Sequence, residues 1–129
     1  MLDTNMVSAA MRNQAGVRQR LSQVGTSEIC ISVITMGEMM YGLCKRPSPT
    51  REQLAREFLR RVDVLPWTIS VAECYGSLRT ELATQGIALG ALDMQIAAHA
   101  RAENCILVTA DKAFHQVSAL TIENWLNAP

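Results

Sequence analysis

Aromatic residues are scarce in this chain: two Trp, two Tyr and two Phe make up 5% of 129 residues. The core must therefore be aliphatic and rich in methionine, of which there are seven. No apolar run approaches the roughly 20 residues that span a bilayer. The start lacks a basic region followed by a long apolar one, so no signal peptide is expected and the expected location is cytoplasmic. The four cysteines, Cys30, Cys44, Cys74 and Cys105, are separated by 14, 30 and 31 residues and form no C-x-x-C pair. That spacing excludes a zinc ribbon or finger. Three of them lie in apolar surroundings and read as small buried hydrophobes in a reducing compartment. Net charge is also absent, with 12 basic against 12 acidic residues. Internal repeats and low-complexity tracts are missing as well.

What is present suits one globular domain over 1–129, with 49% hydrophobic and 19% charged residues. At this length about two-thirds of the extended surface can be buried without staples. The zero net charge conceals a split. Residues 1–61 carry nine Lys/Arg and five Asp/Glu, net +4, whereas 62–129 carry three and seven, net −4. Such asymmetry points to a charged or polyanionic partner.

Strand-like and helix-like patterns alternate along the chain. Residues 1–3 read as the end of a strand. MVSAAMRNQ and VRQRLSQV read as helices separated near Gly16. EICISVI is a β-branched, apolar strand. Thr35 with Glu38 three residues on has the form of a capping box opening a helix through GEMMYGL. SPTREQLAREFLRR places Leu54, Phe58 and Leu59 at helical spacing behind a proline. VDVLPW is a short strand. SVAECYGSLRTELATQG is a helix closed by Gly86. GALDMQIAAHARAEN is a further helix, CILVTA a strand, AFHQV a single turn and LTIENW a last strand. This alternation predicts an α/β fold with a mostly parallel sheet covered on both faces.

Open parallel sheets gather ligands beyond the carboxyl ends of their strands. Asp3 follows the first stub of strand. Thr109 ends CILVT, and Asp111 lies just beyond it. Glu38 sits on the helix after EICIS, and Asp93 near the start of an otherwise apolar helix. Taken singly, each has a structural explanation: a helix cap or dipole partner for Asp93, the capping box for Glu38, surface charge for the other two. Taken together, four acids at one end of a sheet repel one another and raise each other's pKa. A divalent cation removes the conflict. An all-oxygen donor set suits Mg²⁺ or Mn²⁺ rather than zinc. A metal so held can activate water and hold phosphate oxygens, which suggests phosphodiester hydrolysis.

The four blocks MLDTN, SVITMGEMMYGL, GALDMQIAAHA and ILVTADKAF, in that order, resemble the acidic blocks of PIN-domain ribonucleases, and more narrowly VapC-type toxins of bacterial type II toxin–antitoxin systems. LRTELATQGIALGALDMQIAAHA and LTIENW strengthen the likeness, which covers essentially the whole chain. The resemblance implies a PIN-like α/β/α sandwich: a mostly parallel central sheet flanked by helices. It implies a metal-dependent endoribonuclease acting on tRNA or another structured RNA. Asp3, Glu38, Asp93 and Asp111 would hold one or two Mg²⁺ or Mn²⁺ ions, Asn5 would orient Asp3, and Thr109 would bond a ligand or water. It further implies a homodimer held inactive by a cognate VapB-type antitoxin, with promoter DNA bound only through that antitoxin, and no membrane partner. The family pattern carries a few more apolar residues before the first aspartate. Here only Met1 and Leu2 precede it, so the first strand is expected to be pinned on both sides or extended by residues upstream.

Other residues carry weaker expectations. Arg79 and Lys112 are candidates for contacts to RNA phosphates, with ordinary surface charges as the alternative. The Arg51, Arg56, Arg60 and Arg61 helix reads as a solvated face that could also grip RNA. His99 and His115 pair with no Cys or second His, and neither takes a metal or catalytic role. Two other functions stay open. A phosphatase of the aspartyl-phosphate type wants D-x-D where this chain has D-x-N. A catalytically weak domain acting mainly as a binding partner would have no reason to keep four repelling acids.

Overall fold

Asp3 ends an extended segment of only three residues, yet that segment lies in the middle of the sheet. The computed structural model describes residues 1–126. Strand β1 (Cys30–Ser32) pairs in parallel with β2 (Asp63–Leu65), placing Ile31 opposite Val64. Strand β3 (Leu107–Val108) pairs in parallel with β4 (Ile122–Glu123). Leu2 joins these two ladders. It bridges Val108 in parallel, and its N–H donates to the Cys30 carbonyl at 3.0 Å. The Val108 N–H donates to the Met1 carbonyl at 2.8 Å, and the Asp3 N–H donates to Val108 O at 3.1 Å. The order across the sheet is therefore β2, β1, residues 1–3, β3, β4. The first strand is pinned on both sides, as its shortness requires.

Adjacent residues of a strand face opposite sides of the sheet. Leu2 and Val108 accordingly join a core with Met6, Val7, Val17, Ile31 and Met39. Met1 and Leu107 face the other way, with Leu78, Leu82, Ile96 and Phe114. Helices α1 (Thr4–Met11), α2 (Ala15–Val24), α3 (Val33–Lys45) and α4 (Pro49–Arg61) supply the first core. Helices α5 (Ile69–Gln85) and α6 (Ala91–Ala102) supply the second. This is the three-layer arrangement that the alternating pattern predicts. Leu2 is 1% exposed. Leu2→Ala is expected to cost about 2–5 kcal/mol by removing a side chain the two ladders share. Denaturant unfolding would measure it, and a loss below 1 kcal/mol, roughly the cost of a peripheral site, would contradict the central placement.

Local chemistry explains most helix boundaries. Ser48 Oγ caps α4 by accepting from the Arg51 N–H, with Pro49 at the first helical position. Thr68 caps α5 by accepting from the Val71 N–H. Gly86 ends α5 with φ +69°, a left-handed value that favours glycine. Two boundaries differ from the expectation. Gly16 lies inside α2, and the break falls at Asn13 with φ +54°. The strand EICISVI also stops at Ser32, which is opposite the last residue of β2. Ser32 is therefore the cap of α3, accepting from the Ile34 N–H at 3.1 Å. Thr35 is buried within the helix, and its hydroxyl has no partner among the described residues. No capping box forms, so that structural explanation of Glu38 falls away. Cys30, Cys74 and Cys105 are half-buried, close to expectation, whereas Cys44 is exposed.

Candidate active site

Asp3 does two jobs that oppose each other. Its backbone is extended (φ −76°, ψ 174°), and its Oδ1 accepts from the Met6 N–H at 2.8 Å, so it caps α1. Its Oδ2 accepts from the Thr109 hydroxyl at 2.5 Å. The side chain is held with its carboxylate buried, 5% exposed. Burial pushes the Asp3 carboxyl above the usual carboxylate range. The Thr109 and Met6 hydrogen bonds pull it down, and the charge of Asp111 pushes it up again. An N-cap alone needs no burial. A buried acid with a second acid near it is poorly explained by helix capping.

Thr109 and Asp111 extend the site from β3. Thr109 Oγ1 gives its proton to Asp3 and accepts from the Asp111 N–H at 3.0 Å. One hydroxyl thus ties the first acid to the turn that carries the last. Asp111 in turn caps a short 3₁₀ turn, Lys112–Gln116, by accepting from the Ala113 N–H at 2.9 Å. Asn5, expected to orient Asp3, is exposed and has no side-chain hydrogen bond among the described residues. Met6 N–H and Thr109 do that work instead.

Asp93 arrives from the other layer. It lies in the first turn of α6, whose N-cap is Gly90, and it caps nothing. It is half-buried and makes no hydrogen bond among the described residues. Burial raises its pKa first, followed by the charges of Asp111 and Asp3. Asp3, Asp93 and Asp111 therefore form one electrostatic group, brought together from the first strand, α6 and the turn after β3. The charge of Glu38 contributes to neither raised carboxyl. Glu38 is half-buried on the wall of an adjoining cavity of about 400 Å³, shared with Thr4, Ser8, Arg12 and Arg51. Thr4 connects this cavity directly to Asp3. Sequence reasoning missed Thr4, Ser8 and Arg12 there, although their four-residue spacing is a polar stripe at helical period.

The weaker candidates scatter. Arg79 is exposed and donates to the Tyr75 hydroxyl at 3.2 Å. It lines a cavity with Gly90 and Met94, next to Asp93. Lys112 is exposed beside Asp111 and forms no ion pair among the described residues. Among the described residues, no three His, Cys, Asp or Glu side chains close tightly enough to enclose an ion alone.

The PIN-domain family model matches residues 1–120. The chain belongs to the PIN-domain family. Among its relatives is the tRNA(fMet)-specific endonuclease VapC of Shigella flexneri, 38% identical over 128 residues and covering 97% of this chain and 96% of that protein. Ribonuclease VapC2 of Haemophilus influenzae is 37% identical over 129 residues, covering 98% and 97%. Among solved structures, VapBC2 of Rickettsia felis bound to a promoter DNA fragment superposes with a TM-score of 0.91 at 33% identity, covering 97% of each chain. The sandwich that the sequence resemblance implies is thus the fold of this PIN domain. Its acids lie at the sheet edge where an open α/β fold places ligands.

Proposed function

We propose that this PIN domain is an endoribonuclease toxin that hydrolyses a phosphodiester bond of a structured RNA, with a VapB-type antitoxin as its inhibitor. The observation that carries the reading is the group of Asp3, Asp93 and Asp111, two of them with proton affinity raised by burial and mutual repulsion. Among the described residues no cation offsets that repulsion, and Asp93 has no hydrogen-bond donor. Full-length similarity to proteins named as ribonucleases and as VapBC complexes supports the same reading. A tRNA is the first substrate to test, because the Shigella relative is named for one.

The donor set fits a hard divalent cation, Mg²⁺ or Mn²⁺. It consists of carboxylate and hydroxyl oxygens, with no Cys or His in the group. Mg²⁺ characteristically binds one or two carboxylates and keeps several waters, so a fully enclosing cage is not required. Asp3 and Asp93 would hold the ion, with Asp111 at the rim. When bound, it would lower the pKa of a water and neutralise charge on the phosphate.

The remaining work belongs to the chain. Thr109 orients Asp3 and, by donating to it, favours its ionised form against the effect of burial. Glu38, which lines the adjoining cavity with Thr4, would hold a water or accept a proton. Arg12 and Arg51 give the adjoining cavity positive charge suited to neighbouring phosphates. Cleavage of tRNA by purified, antitoxin-free protein in Mg²⁺, abolished by EDTA and restored by Mn²⁺, is the expected result. Cleavage undiminished in EDTA would refute the metal reading. Failure on tRNA and on total RNA alike would refute the nuclease reading.

A further inference from the structure

One buried polar pair stands apart from the acids. His99, on α6, is 0% exposed, and its Nδ1 lies 2.7 Å from Ser32 Oγ, itself 0% exposed. Ser32 Oγ already accepts from the Ile34 N–H. Burial lowers the proton affinity of the imidazole, outweighing Glu103 and the Pro66 carbonyl, and so favours its uncharged form. Ser32 Oγ can donate its proton to Nδ1 or accept a second bond from it, and either tautomer of the ring keeps the link. Among the described residues Nε2 has no partner in full hydrogen-bonding geometry, although the Pro66 carbonyl lies near enough to favour a proton on the ring. Trp67 packs edge-on to the ring, centroids 5.7 Å apart at 74°. A buried ring nitrogen without a well-formed bond is a cost, and an aliphatic side chain would avoid it. The histidine thus needs a reason other than core stability.

Its place in the fold supplies one. Ser32 caps α3, the helix that bears Glu38; His99 lies on α6, the helix that bears Asp93. Six residues separate each acid from its anchor, about 9 Å of helix rise. Ser32–His99 is the one side-chain hydrogen bond between the α3 cap and α6 among the described residues. Asp3 and Asp111 have their own tie through Thr109. Among the described residues Glu38 has no comparable link to the other acids.

Resting on the nuclease reading above, we propose that Ser32 and His99 are positioning residues: their bond sets the separation of Glu38 from Asp93 and hence the width of the site around the scissile phosphate. Misplacement of a catalytic group by about 1 Å can cost on the order of 10²-fold in rate. The test compares His99→Leu, His99→Asn and His99→Gln in the full chain. Asparagine places an acceptor oxygen where Nδ1 stood, so it retains the Ser32 bond; leucine removes it, and glutamine reaches past it. Expected is a kcat lower by about tenfold or more for Leu and Gln, with KM within about twofold of the parent. Asn should recover most of kcat. Melting temperatures of Asn and Gln should match each other, so that the contrast between them does not report folding. Crystal structures should show Glu38 displaced relative to Asp93 in Gln and in place in Asn. Parental kcat in Gln, or equal loss in Asn and Gln at equal stability, would overturn the proposal. If the parent itself cleaves no RNA, the nuclease reading fails. The crystal structures then decide the positioning role alone, and an unmoved Glu38 in Gln overturns it.

Discussion

Asp3→Asn is expected to lower kcat for RNA cleavage by about 10²–10³-fold or more while changing stability at neutral pH by no more than about 1 kcal/mol. The two effects separate because Asp3 has two roles. Asparagine is as good an N-cap as aspartate, so the Met6 N–H keeps its acceptor. The Thr109 hydroxyl loses a charged acceptor, a cost of about 1 kcal/mol. Against that, the substitution removes a carboxylate that burial and Asp111 disfavour. Asp3→Ala lacks this balance. It leaves the Met6 N–H without its cap and the buried Thr109 hydroxyl without its acceptor. It is expected to cost about 2–4 kcal/mol on top of the same loss of activity. Single-turnover cleavage and denaturant unfolding on both variants would check this. An active Asp3→Asn protein would sink the catalytic assignment.

The same carboxyl gives a pH signature. Asp3 and Asp93 are both raised in the folded protein. The native state therefore binds more protons than the unfolded chain above the ordinary carboxylate pKa of about 4. Their contribution to stability is full below that value and is lost as pH rises through their folded values. Glu81 and Glu123 are lowered by Arg101 and by Trp125 with Arg20, and run the opposite way. The difference between parent and Asp3→Asn isolates the first effect. Without divalent ions, the variant should gain on the parent as pH rises from 4 toward 7. Added Mg²⁺ should narrow that gap at pH 7 by stabilising the parent selectively.

Asp93→Ala is the second large effect: a fall in kcat of about 10²–10³-fold with stability within about 1 kcal/mol of the parent. Among the described residues Asp93 makes no hydrogen bond and caps no helix. Its one structural benefit is a favourable position in the first turn of α6, worth a few tenths to about 1 kcal/mol. Burial and the repulsion from Asp111 and Asp3 oppose it. A structural acid would behave in the reverse manner, with activity tracking the folded fraction. If activity stayed within tenfold of the parent, or fell only in step with unfolding, Asp93 would be a helix-end charge and the acidic site would lose its second member.

The sequence alone determined the α/β alternation, the order of the acids and the Gly86 cap. Gly86 acts on backbone groups within about one helical turn, and apolar periodicity repeats every two or 3.6 residues, so both are written into adjacent positions. The cap of α3 shows the limit. Thr35 and Glu38 form a plausible local pattern, but parallel pairing with Leu65 ends β1 at Ser32, and the helix starts there. That pairing comes from the other side of two helices and leaves no trace near Thr35. Only the tertiary structure decided how the acids are held. Residues 1–3 are stable as a strand because β1 and β3 flank them. Asp3 is buried through Thr109, 106 positions away, and Ser32 meets His99 across 67. Contacts at such separation depend on which faces the sheet brings together. The same packing placed Glu38 outside the electrostatic group of three, on the wall of its own cavity. An acid's place in the chain could announce a site, but the geometry of that site came from the sheet order.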